Sequence, residues 1–287
     1  MARGTIYSQI GFGRTERFRR AAGEHGHQKK KRRETHETSS INLLTRRQLT
    51  DQRGCGRQGG LSQGEIFVFD GSLASPHGRC KAWIDSLFVD HAIFRLPWTN
   101  LATVVPGKVY RCNHPTPARL ARLAKRLGLH TLVNLRGHRR CGSDALSRNA
   151  AEQIGLAHVD MAFESRGAPH RDRILRFASL YRSIEMPMLM HCKSGADRAG
   201  LASALVILFE GGTAAQALKQ LHWRFGHFNR SRTGILDAFI LRYQNQAEGR
   251  VSFLYWVEHE YDEAQLKQDF VAGKLASFLT DQVLRRE

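Results

Sequence analysis

The stretch HCKSGADRAG (residues 191–200) lies between the apolar run MPMLM (186–190) and a second run, LASALVILF (201–209). A short apolar run bounded by polar residues reads as a buried strand, and a longer one rich in leucine and alanine as a buried helix. The residues between must turn through a tight loop of small side chains, Ser194, Gly195 and Ala196, before a helix that starts near Arg198. Such a loop points successive backbone N–H groups inward and makes an anion nest at the positive end of a helix. A tetrahedral dianion fits a nest of that kind.

Two side chains add chemistry to it. Arg198, in the first turn of the helix, can offer a planar pair of N–H donors to two oxygens, which a lysine could not do bidentately. Cys192 stands in the field of the nest, the helix N-terminus, Lys193 and Arg198, surroundings of the kind that favour a thiolate. A nucleophile and an oxyanion clamp therefore share one loop, with Lys193, Ser194, Gly195, Ala196, Asp197 and Arg198 as phosphate-binding candidates.

Outward from the loop, strands and helices alternate. GKVYRC (107–112), LHTLVNLRG (129–137) and LAHVDMAF (156–163) read as strands. PTPARLARLAKRLG (115–128) reads as a helix with Pro115 and Pro117 near its start and Gly128 as its stop. SDALSRNAAEQIG (143–155), with Ser143 as candidate N-cap, and DRILRFASLYRSI (172–184) follow as helices, with ESRGAPHR (164–171) as a loop between the third strand and the second of them. TAAQALKQLHWRF (213–225) and TGILDAFILRYQNQ (233–246) continue as helices, and 251–287 is expected to be mostly helical. Ahead of the strands, KAWIDSLFVDHAIF (81–94) suits a lead-in helix that packs Trp83, Ile84, Leu87, Phe88 and Phe94 on one face. The alternation predicts an α/β fold, a mostly parallel central sheet flanked by helices, with ligands bound at the C-terminal ends of the strands. The expected organisation is a basic low-complexity tail over 1–79, a catalytic domain over 80–250 and a helical extension over 251–287 packed on it.

Charge supports the division. The chain carries +18, and residues 1–60 alone hold 14 Lys+Arg against 5 Asp+Glu. That segment contains QKKKRRETHETSS (28–40), has little apolar periodicity and reads as a disordered, solvated basic tail; weak contact with an anionic surface or nucleic acid is its expected extra. An over-extended start of the coding sequence would look the same. No apolar run is long enough to span a bilayer. Five scattered cysteines without close pairing read as free thiols in a reducing compartment, with the cytoplasm expected. No metal or cofactor is implied.

HCKSGADR resembles the His-Cys-x5-Arg signature of the cysteine-dependent protein-tyrosine-phosphatase superfamily, and VYRC, PTP plus helix and LVNLRG resemble its bacterial and its plant-and-fungal dual-specificity branches. The resemblance covers about residues 107–243. It implies a phosphomonoester hydrolase in which Cys192 attacks phosphorus, Arg198 and the loop amides hold the cysteinyl-phosphate, and water releases it. His191 then supports the loop by hydrogen bonding, and Arg136 and Arg111, ending their strands nearby, are either supporting groups or partners of carboxylates.

The implied general acid is an aspartate about thirty residues before the cysteine. Asp160 ranks first on spacing, Glu164 second on its place at the start of a loop, and Asp197, inside the phosphate loop, third. Ala199 replaces the hydroxyl residue usual after the arginine, so slow breakdown of the phosphoenzyme is expected unless Ser194 substitutes. Arg139-Arg140 and Arg171-Arg173 are candidate attractors of polyanions, and RFGHFNRSR (224–232) is a candidate border of the pocket. Substrates implied are phosphoprotein, inositol phosphate or phospholipid; the alternative is a catalytically weak phosphate-binding pseudophosphatase or adaptor.

Overall fold

The computed structural model describes Phe69 and residues 71–284, with side chains to residue 273. Most of the expected tail, residues 1–68 and 70, lies outside the described residues. Phe69 is buried with Ala82 and Leu146, ahead of helix α1 (Pro76–Ile84), which Ser75 caps.

GKVYRC supplies strand β2 (Val109–Cys112), and a strand not expected from the sequence, β1 (Ala102–Val105), pairs with it antiparallel through a turn at Gly107. The other three expected strands form as β3 (Thr131–Asn134), β4 (Ala157–Asp160) and β5 (Met188–His191). The sheet order is β1-β2-β5-β3-β4, with every pair but β1 and β2 parallel. Register sets His191 level with Cys112 on one side and Asn134 on the other, and Asp160 opposite Asn134. Chain segments leaving these four strand ends emerge together, and that edge carries the site.

Alternate residues of β5 divide the core. Met188 and Met190 face a cluster with α4 (Arg171–Ser183), α5 (Asp197–Phe209), α7 (Ile235–Gln246) and α8 (Phe253–His259). Leu189 faces α2 (Pro117–Leu127) and α3 (Gly142–Gln153) through Leu120, Leu123, Ala150 and Ala151. Helix α5 is the most enclosed element: Leu201, Ala202, Ala204, Leu205 and Val206 are fully buried, each leucine or valine worth about 1.5–3 kcal/mol relative to exposure. Its N-terminus is thereby fixed against the end of β5. Tyr261, fully buried, donates to the carbonyl of Pro169 ahead of helix α9 (Glu263–Leu284) and ties the C-terminal helices to the loop before α4.

Two expected helices differ from the structure. The helix expected over 213–225 stops early: α6 spans Ala214–Leu218 behind a Thr213–Gln216 capping box, and a 3-10 turn at Trp223–Phe225 follows. Its carbonyl at Gln220 is taken by Arg111 Nη1 at 2.7 Å, which pulls the chain down onto the sheet. The lead-in segment is more altered. Beyond α1 it continues as a π-helical turn (Asp85–Val89) and a 3-10 turn (Ala92–Arg95), and its polarity is reversed. Asp85, Asp90 and Arg95 are buried, while Trp83, Phe88 and Phe94 face solvent. Gly142 N donates to Asp85, Ser86 bonds Ser143, and Asp90 pairs with Arg95 and Arg136; these polar ties override apolar periodicity.

Candidate active site

The loop from Cys192 to Asp197 is held from outside, carbonyl by carbonyl. Arg95 Nη1 and the His114 amide donate to the Lys193 carbonyl, both at 3.2 Å. Asn100 Nδ2 donates to that of Ser194 at 3.0 Å, and Arg111 Nη2 to those of Gly195 and Ala196 at 2.6 and 3.1 Å. Four consecutive carbonyls are thus turned away from Cys192, whose Sγ accepts from Gly195 N at 3.2 Å. This is an anion nest built by its surroundings.

Gly195 is required there. Its φ is +75°, and a Cβ would lie 2.8 Å from Asn113 N and 2.9 Å from the Cys112 carbonyl. Gly200 serves the same end in α5, since a Cβ would meet Leu221 at 2.9 Å and the Gln220 carbonyl at 3.0 Å. Arg111 itself is wholly buried, stacks 4.0 Å from the Phe225 ring centre, and has its pKa lowered to about 10, chiefly by burial. A guanidinium rather than an ammonium is needed, because only its fork reaches Gln220, Gly195 and Ala196 together.

Cys192 opens on a cleft of about 580 Å³ lined by His91, Phe94, Arg95, Ser165, Arg166, Lys193, Ser194, Asp197 and Arg198. Arg198 Nε donates to the carbonyl of Phe163 at 2.9 Å, which anchors one edge of the guanidinium and leaves the other for the cleft. Burial lowers the pKa of Arg198. Lys193 lines the same cleft and reaches back to Asp90 at 3.3 Å.

The three candidate acids separate. Asp160 is bound by Arg148 at 2.6 and 2.7 Å and by Asn134 at 3.0 Å; the same arginine holds Asp144, and this network closes the β3–β4 edge outside the cleft. Glu164 turns the other way, to Arg173 and His170, and does not line the cleft either. Asp197 lines it, and its Oδ1 accepts from His227 Nδ1 at 2.8 Å. His227 Nε2 lies 2.6 Å from Asp237. Burial alone would lower the pKa of His227, but the two carboxylates raise it to about 9, so the ring is an imidazolium at neutral pH.

The supporting candidates are placed as follows. His191 is fully buried, edge-on to His114 with centroids 4.5 Å apart, and burial pushes it well below the ordinary histidine range. It underlies the loop as a neutral ring, as does His114, pushed down to about 3 by burial and by Arg136 and Arg95. Arg136 is spent on a bidentate pair with Asp90 at 2.8 and 2.9 Å. Burial acts against that carboxylate, yet Arg136 and Arg95 hold it well below the usual range. Arg171 and Arg173 are occupied by the Tyr261 carbonyl and Glu164, whereas Arg139 and Arg140 are exposed. The 224–232 segment borders the loop through His227 and Phe225. Ala199 is fully buried, and Ser194 Oγ accepts from Ala196 N at 3.4 Å. Among the described residues no cluster of His, Cys, Asp and Glu is placed to hold a metal ion.

Sequence reasoning missed Asn100, Arg95, Asp90 and His227. Asn100 at φ +50° and a buried Asp-Arg pair five residues apart carry no signature of their own.

Residues 103–225 match the family described as "PTP-NADK: DSP-PTPase phosphatase fused to NAD+ Kinase". Over this segment the chain is similar to phosphatase domains of the tyrosine and dual-specificity type. It is similar in structure to TpbA of P. aeruginosa, with 21% identity over 61% of this chain and 92% of that one, TM-score 0.42. It is also similar to the core catalytic domain of the PP-IP phosphatase SIW14 of S. cerevisiae, 17% identical over 53% and 88%, TM-score 0.42. A putative phosphatase of Shewanella putrefaciens CN-32 is 18% identical over 52% and 97%, TM-score 0.39. No curated protein sequence shows significant similarity to the chain.

Proposed function

We propose that the chain is a phosphomonoester hydrolase acting through a cysteinyl-phosphate. The observation that carries this reading is the outward fixing of four successive loop carbonyls around Cys192, because it prepares N–H donors for three phosphate oxygens before substrate arrives. Cys192 Sγ attacks phosphorus, the P–O bond to the leaving group breaks, and Arg198 and the amides hold the equatorial oxygens. Water then attacks phosphorus, the S–P bond breaks, and inorganic phosphate leaves.

The Asp197–His227 pair handles the proton in both steps: the imidazolium's proton passes through Asp197 to the leaving oxygen and returns by the same route from the attacking water. Asp197 takes precedence over Asp160 and Glu164 because it alone of the three lines the cleft, and His227 fixes its orientation. Exposed Arg139 and Arg166, with half-buried Lys193, favour a substrate with more than one negative group, an inositol phosphate, a phospholipid or a phosphoprotein segment. We place the catalytic unit in residues 80–250, with the helices that begin at Phe253 and Glu263 packed on it. Free thiols at Cys80, Cys112 and Cys141 fit a reducing cytoplasm.

The test compares Cys192→Ser, Asp197→Asn, Asp160→Asn and Glu164→Gln on an alkyl and an aryl phosphate. The expected result is loss of all hydrolysis in the first, a selective loss on the alkyl ester in the second, and small effects in the others. Retained hydrolysis by Cys192→Ser would overturn the mechanism.

A further inference from the structure

The lead-in segment displays its apolar side chains beside the cleft. In IFRLPW (93–98), Ile93, Phe94, Leu96 and Trp98 are 44, 77, 41 and 42% exposed, and Phe94 lines the cleft mouth. The display is rigid. Arg95 is buried and paired with Asp90, Arg119 donates to the carbonyls of Arg95 and Leu96, and Asn113 donates to that of Trp98. These ties are polar and face inward, and the apolar side chains stay largely outside, with Trp98 also packed over Gly226.

A second exposed apolar group adjoins it at the turn around Gly226. Trp98 packs over Gly226, whose neighbour His227 bonds Asp197, and the same turn exposes Trp223 and Phe228 at 71 and 63%. Cations stand among these groups: Lys193 and Arg166 in the cleft lining, and exposed Arg139 and Arg224. The nearby carboxylates are directed inward, Asp90 to Arg136, Asp197 to His227 and Glu164 to Arg173. Projecting apolar side chains interspersed with cations match the two layers of a bilayer interface, acyl boundary and anionic head groups.

We propose that this face docks on a lipid surface bearing anionic head groups, with Ile93, Phe94, Leu96 and Trp98 entering the interface and the Cys192 cleft opening onto the head-group layer. A head-group phosphate would then reach Cys192 without leaving the membrane. The proposal rests on the phosphatase reading for what the cleft accepts, and on the exposed face alone for the docking.

The experiment uses the full chain and sedimentation with phosphatidylcholine vesicles, with and without phosphatidylglycerol, at low and high salt. High salt screens attraction by the basic residues 1–60 and leaves apolar insertion. The wild type is expected to sediment with the anionic vesicles and to remain partly bound at high salt. Ile93→Ser with Leu96→Ser is expected to lower the high-salt partition about tenfold or more while p-nitrophenyl phosphate turnover is unchanged. Equal binding by the variant and the wild type would overturn the proposal, as would a wild type that ignores vesicles and instead dimerises or retains a phosphotyrosine peptide through the same residues. Failure to bind vesicles with soluble turnover intact removes the docking face alone. Vesicle binding with hydrolysis that survives Cys192→Ser removes the phosphatase mechanism alone.

Discussion

Arg111 Nη2 donates to the carbonyls of both Gly195 and Ala196, at 2.6 and 3.1 Å, from a wholly buried position behind the phosphate loop. The end of one strand thus shapes a loop that follows another. Replacing Arg111 with methionine would leave the carbonyls of Gly195 and Gln220 without this donor, while that of Ala196 keeps the Gly200 amide, at a cost of about 2–4 kcal/mol. Arg111→Lys is expected to retain more stability but to bind inorganic phosphate, measured as a competitive inhibitor, at least about tenfold more weakly, since one ammonium cannot hold both carbonyls.

Gly195→Ala tests the backbone of the nest. The added methyl would meet Asn113 N and the Cys112 carbonyl under 3 Å, in a conformation at φ +75° that alanine resists. A loss of about 2–4 kcal/mol in denaturant unfolding is expected, with phosphate binding abolished. Gly155→Ala, also at positive φ but with no neighbour within 4 Å, is the control and should cost only about 1 kcal/mol.

His227 gives a pH signature. Its folded-state pKa, about 9, lies above the ordinary 6.5, so the imidazolium's pairing with Asp197 and Asp237 contributes fully below pH 6.5 and is lost as pH rises from there through about 9. His227→Gln is expected to be about 2–3 kcal/mol less stable than wild type near pH 6.5, with the gap closing by about pH 10. Urea unfolding at the two pH values measures it; a gap that widens with pH would contradict the assignment.

Ala199 gives a kinetic one. With no hydroxyl beside Arg198, rapid mixing with p-nitrophenyl phosphate should show a burst followed by a slower steady state. Ala199→Ser is expected to shrink the burst and raise the steady rate several-fold, provided the buried site accepts the extra oxygen; urea unfolding reads that separately. Linear progress curves in the wild type would contradict slow breakdown of the phosphoenzyme.

Much of this was legible in HCKSGADRAG and its flanks, because a strand, a tight loop and an apolar helix have strong periodic signals, and the fold follows from their alternation. Strand β1 escaped because four residues on a sheet edge, one of them exposed, alternate too briefly to register. The spacing that favoured Asp160 over Asp197 says nothing of Arg148, which reaches Asp160 from the preceding helix α3. The lead-in segment was read with its faces reversed because periodicity counts apolar residues, whereas Asp90 is held inside by Arg136, forty-six positions away. Long-range polar pairing of that kind leaves no local mark.

The most direct measurement is to quench the enzyme in acid during turnover of p-nitrophenyl phosphate and map the phosphorylated peptide by mass spectrometry. One phosphoryl group on Cys192, absent in Cys192→Ser, is the expected result. A phosphoryl group on any other residue, or full turnover by Cys192→Ser with none on the protein, would contradict the account.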